Sequence, residues 1–207
     1  MQYHSLFLDS LASVLSHPAL WLPLMLLFVY VLIRNNNLQE LLLIFVLLFA
    51  TVLLANQGIY ILQSYFSPST LSKTAVILAL NYHREGVGLL AILIPAAPAV
   101  GIFLAFLVRH RNLMLCLAAW SLLNSWTRLY LSIVSPLEWG SEFIGELLLG
   151  SLMYILFLKL HKRINSSHLV RIHAVRTLTG YSEADVRLIV LGHALTFLLI
   201  AFLAFLS

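Results

Sequence analysis

A few charged residues stand close together in a chain that has few of them: Arg128, Glu138, Glu142 and Glu146. A guanidinium grips a carboxylate or phosphate with two parallel hydrogen bonds, and a carboxylate can give or take a proton. Glu142 and Glu146 are four residues apart and share one helical face. Glu146 falls one to two turns inside an apolar run, where a charge faces protein, a partner or water rather than lipid. Arg128 can pair with Glu138 or Glu142 and lock two helices together; alternatively it is the cation of a small anion or headgroup site. His83, Arg84 and Glu85 bring together a histidine, a cation and a carboxylate, the set a phosphate-transfer site needs. Being consecutive, their side chains diverge on any regular backbone, so they read as solvated loop residues able to touch lipid phosphate. No spacing of histidines, cysteines or carboxylates suits a metal ion, and no cofactor is expected. His193 stands in an apolar run, placed to hydrogen-bond between helices.

These residues are set in a chain of 207 residues that is 61% hydrophobic and only 10% charged. That is too little charge for a water-facing surface, and several apolar runs exceed about 18 residues, enough to span a bilayer. The expected fold is all-α, because lipid offers no partner to an open backbone. It is a polytopic bundle with about six transmembrane helices, over 18–33, 38–62, 86–108, 112–131, 140–160 and 188–206. An N-terminal helix over 2–15 groups Leu6, Phe7, Leu11, Val14 and Leu15 on one face and is expected to lie at the membrane interface. The segment 75–80 is apolar but too short to cross. Pro95 and Pro98 are expected to kink the third span, and Ala97 and Gly101 to let a neighbouring helix come close.

The net charge of +4 does not point to nucleic acid, because the basic residues sit at the ends of apolar runs. Arg34, Arg109, Arg111, Lys159, Lys162, Arg163, Arg171, Arg176 and Arg187 all fall beside alternate loops. The positive-inside rule then puts both termini outside, which in a bacterial inner membrane is the periplasm. The N-terminus carries no Lys or Arg before its first apolar run and does not read as a cleavable signal. The single Cys116 excludes an intrachain disulfide and reads as a small buried packing residue. Residues 161–187 form a basic cytoplasmic loop suited to anionic headgroups. In it, Ser182 and Asp185 have the spacing of a capping box for the last helix.

Residues 127–139 read Thr-Arg-Leu-Tyr-Leu-Ser-Ile-Val-Ser-Pro-Leu-Glu-Trp. This stretch resembles the last active-site signature of the type 2 phosphatidic acid phosphatase and haloperoxidase superfamily, in its bacterial undecaprenyl-diphosphate phosphatase-like membrane branch. The pattern there is Ser-Arg, five residues, His, three residues, Asp. Here Arg128 is kept, while Thr127, Val134 and Glu138 stand in the other places. Ile94-Pro95-Ala96-Ala97-Pro98-Ala99 takes the place of Pro-Ser-Gly-His, so Pro98 replaces the general-acid histidine. Ala55-Asn56-Gln57 is similar to the triplet that precedes the first signature, which puts Gln63 at its lysine and Thr70 at its arginine. The resemblance covers about residues 8 to 160 and implies a phosphatase-like bundle over 1–160, the basic loop 161–187 and an additional C-terminal transmembrane helix over 188–207.

The chemistry implied by the resemblance needs a histidine that becomes phosphorylated. Val134 has no lone pair to offer, and the partner histidine and lysine are gone as well, so no residue is expected to be catalytic. The expectation is a pseudoenzyme, a structural or accessory subunit of a membrane complex in contact with lipid and with other membrane proteins. Two alternatives remain: a divergent lipid phosphate phosphatase with a site rebuilt from His83, Arg84 and Arg128, and a lipid-binding or transport protein that uses the former cavity.

Overall fold

The structure, a computed structural model, describes residues 6–66, 95–131, 134–164 and 180–206. Their regular elements are all helices. In order they are α1 (Leu6–Leu15), a 3-10 turn at Pro18–Trp21, α2 (Leu22–Asn35), α3 (Leu38–Phe66), α4 (Ala97–Val108), α5 (Arg111–Tyr130), α6 (Pro136–Ile164) and α7 (Glu183–Leu206). Prolines mark the starts: Pro18, Pro23, Pro98 and Pro136 all fall in first turns, where a missing N–H costs nothing. Arg109, in the left-handed region at φ 50°, ends α4 and leaves only His110 before α5.

Among the described residues four helical stretches are long and apolar enough to cross a membrane: Pro18–Asn35, Leu38–Leu62, Pro136–Arg163 and Glu183–Leu206. These fit the expected helical membrane bundle, and the third and fourth of the six expected spans are not among them. Two reasons account for the difference. The third expected span is described only from residue 95 onward, where it forms the 12-residue α4. The fourth, α5, is long enough, but Ser121, Asn124, Ser125, Thr127 and Arg128 make its second half polar, and all five are buried within the bundle. The outer faces of α3, α6 and α7 carry exposed apolar residues such as Leu42, Val46, Leu148, Leu152, Leu195 and Leu198. Water would penalise such a surface, and lipid does not.

The bundle is built around α4, which packs against α3, α5 and α6 and is buried along nearly its whole length. Close approach depends on two glycines. A Cβ on Gly101 would collide with Ser121 Oγ of α5, and one on Gly150 of α6 with the Ala99 carbonyl and Ile102. Small residues thus let three backbones meet. The last helix, α7, is seated against α1, α2 and α5.

At one end α2, α4 and α6 finish and α3, α5 and α7 begin. There Arg34 pairs with the buried Asp185 at 3.0 Å, Asn35 Nδ2 donates to the same carboxylate at 2.9 Å, and Ser182 N–H donates to Asn35 Oδ1 at 2.9 Å. The Asp185 carboxylate is thus turned toward α2, where a cation and an amide meet it, and the capping-box reading of Ser182 and Asp185 is replaced by a clamp between α2 and α7. At the start of α3, Asn37 N–H donates to the Glu40 carboxylate at 3.2 Å, one half of a capping box. At the opposite end α1 folds against α5 and α7. It buries Ala12 and Leu15 and is tied by Tyr130, whose hydroxyl donates to Asp9 at 2.7 Å. Leu6 and Phe7 remain exposed. Cys116, expected to be buried, is half-buried on α5.

Candidate functional site

The N-terminus of α4, the C-terminal half of α5 and the first turns of α6 converge. Ser121 Oγ of α5 donates to the Ala97 carbonyl at 3.1 Å, and Trp139 Nε1 of α6 donates to the Ser125 carbonyl at 3.0 Å. Arg128 lies 2.8 Å from Glu142, and the Glu146 carboxylate faces the Ala99 backbone at the start of α4. The segments singled out in sequence at 95–99 and 127–142 are therefore neighbours in space.

Of the two partners open to Arg128, the structure selects Glu142. Glu138 is engaged elsewhere. Its carboxylate accepts from Ser135 N–H at 2.7 Å, while Ser135 Oγ accepts from Glu138 N–H at 3.3 Å. With Pro136 at the first helical position, Ser135-Pro136-Leu137-Glu138 is a capping box that starts α6. The letters carried this signal, but reading Glu138 as a replaced aspartate hid it.

Burial is nearly complete. Arg128 is 8% exposed, Glu138 3%, Glu142 2% and Glu146 4%. The three glutamates recur every four residues and form a row on one face of α6. Among the described residues no group of three acidic or histidine side chains could hold a metal ion, so the row does not gather about a point. Among the described residues, Glu138 Oε1 and Glu146 Oε2 have no hydrogen-bond partner, and neither does Asn124 Oδ1 on α5.

The N-terminus of a helix leaves several N–H groups unpaired and carries about half a positive charge. Here Pro98 removes one of those donors, and a carboxylate from α6 meets another at Ala99. The position that could accept an outside anion is met by an internal one. Arg128, the second positive feature, is likewise met by Glu142.

The other expected positions fall as follows. Pro98 is buried in the first turn of α4, and Val134 is buried just before α6. Thr127 is buried, and its hydroxyl donates to Asn124 O of its own helix at 2.7 Å. Gln63 is on the last turn of α3, its side chain outside the described part. Thr70, His83, Arg84, Arg171, Arg176 and the segment 75–80 lie outside the described residues. His193 is buried on α7 and bonds within its own helix, with Nδ1 3.0 Å from Ile189 O. Missed in sequence were Asn124, Ser121 and Trp139, polar groups on apolar helices whose spacing from Arg128 and Glu142 was the available sign.

Comparison with known proteins finds no matching family model, no matching curated protein and no matching solved structure.

Proposed function

We propose that this chain is a non-catalytic, phosphatase-like integral membrane protein that serves as a structural or accessory subunit of a membrane complex. One observation supports the reading best: both positive features at the junction of α4, α5 and α6 are answered by the chain's own carboxylates, Arg128 by Glu142 and the start of α4 by Glu146. A phosphate would have to displace a buried carboxylate from each. No histidine lies on α4, α5 or α6 in this junction, where Val134 and Pro98 stand instead.

In this reading the chain crosses a bacterial inner membrane six times with both termini periplasmic. The gathering of Arg34, Arg109, Arg111, Lys162, Arg163 and Arg187 at one end of the bundle supports that orientation. Its neighbours are membrane lipids along the exposed leucine rows and other membrane subunits.

The test is phosphate release by the purified protein from undecaprenyl diphosphate, phosphatidic acid and phosphatidylglycerol phosphate, beside an active phosphatase of the superfamily. The proposal expects none above background. Release that disappears in His83→Ala and Arg128→Ala would establish a rebuilt phosphatase site in its place.

A further inference from the structure

Away from this junction, α2, α3, α4, α5 and α7 line a cavity of about 290 Å³. Its lining includes Leu24, Phe28 and Leu32 on α2 and Phe45, Phe49 and Leu53 on α3. Spacings of four residues keep each set on one helical face. The cavity is therefore a slot running along both helices for about 12 Å, the rise of eight residues. Although consecutive, α2 and α3 barely touch, and Phe49 and Leu53 are exposed. These two continue the exposed row of Leu42 and Val46 on α3. The slot thus opens sideways, on a face that lipid covers when the chain lies in a membrane.

The lining decides what can fill it. Trp120 Nε1 and His193 Nε2 have no accessible surface, so these rings present carbon rather than a polar atom. Water needs two or more polar partners to occupy such a space, and the slot is almost wholly apolar. Left empty, a space of this size would carry a cost on the scale of a protein's whole stability. A charged headgroup inside would be desolvated with no cation in the lining to meet it. Hydrocarbon suits every wall, and at the open side the hydrocarbon at hand is that of the bilayer.

We propose that the slot holds one acyl chain of a bilayer phospholipid, entered sideways between α2 and α3 and lying along them, with its headgroup outside at the membrane surface. The inference rests on the chain's lying in a membrane and not on its lack of catalysis.

The test uses the full chain in nanodiscs of phosphatidylcholine that carries a photoactivated diazirine midway along one acyl chain. After irradiation, peptide mass spectrometry maps the adducts. The expected result is adducts on the buried wall, at Phe28, Val100 or Leu117, beside those on the exposed Leu148 and Leu195. Val52→Phe, which adds bulk within the slot, should lose the wall adducts and keep the outer ones. In detergent, added phosphatidylcholine should raise the unfolding midpoint of the wild type, and that shift should be lost in Val52→Phe. Met25→Phe, on the opposite wall, should repeat both losses, so a folding defect in one variant would not rescue the idea. Outer adducts without wall adducts would overturn the proposal and show a slot that is dry or filled by protein, from this chain or a second copy. Wall adducts that survive both substitutions, or a wild-type midpoint unmoved by lipid, would also overturn it. Absence of outer adducts would defeat the membrane reading itself, and the proposal with it.

Discussion

Arg128 and Glu142 form the charged contact on which the junction of α4, α5 and α6 turns. Both are buried, so removing one partner leaves the other desolvated and costs about 3–5 kcal/mol, whereas replacing both with apolar side chains of similar size is close to neutral. Arg128→Ala is expected to destabilise the protein by that amount in reversible unfolding from mixed micelles, and Arg128→Met with Glu142→Leu to recover most of the loss. A single variant within about 0.5 kcal/mol of wild type, the usual range for surface changes, would mean that the pair carries no structural load. The pairing was half legible. Sequence spacing offered Glu138 and Glu142 equally, and the choice between them depends on Ser135, which draws Glu138 into a cap. Glu146 was legible as a charge at membrane depth. That it would face the start of α4 was not, because the two positions are far apart in sequence.

At the scale of elements, α6 begins where Ser135 and Glu138 bond reciprocally. Ser135→Ala is expected to cost about 1 kcal/mol, with faster hydrogen exchange confined to the first turn of α6; unchanged exchange there would contradict the cap. The contact between α4 and α6 depends on Gly150, where an added Cβ meets the Ala99 carbonyl. Gly150→Val is expected to force the two helices apart and destabilise by more than the 1–3 kcal/mol typical of overpacking, roughly doubling it because one obstacle is backbone. Full stability in that variant would rule out the close approach. Helix existence was plain from apolar run lengths at 38–62, 140–160 and 188–206. The status of α5 was less so, since its polar residues look unsuited to lipid until the bundle is seen to bury them. The clamp of Asp185 on Arg34 and Asn35 reads as a capping box in sequence because local spacing says nothing of a partner some 150 residues away.

For the whole molecule, the proposed orientation rests on the basic end of the bundle. With Cys116→Ala as background, Lys162→Cys at the end of α6 and Leu137→Cys at its start are both on exposed positions. A membrane-impermeant maleimide applied to intact cells with a permeabilised outer membrane is expected to label Leu137→Cys alone, and Lys162→Cys only after lysis. The reverse pattern would invert the topology. The membrane class of the chain could be read from composition, and the arginines supply the proposal for its inner end. The sequence left open whether the positive groups at this junction are vacant or filled, because filling depends on how α4, α5 and α6 meet.

That filling is the central claim, and anion binding tests it most directly. Titrating orthovanadate, a phosphate mimic, into the purified protein by calorimetry should give no binding at the wild-type junction, because Glu142 and Glu146 already meet its positive groups. Specific vanadate binding by the wild type that is lost in Arg128→Ala would contradict the account and show a phosphate site open to ligand.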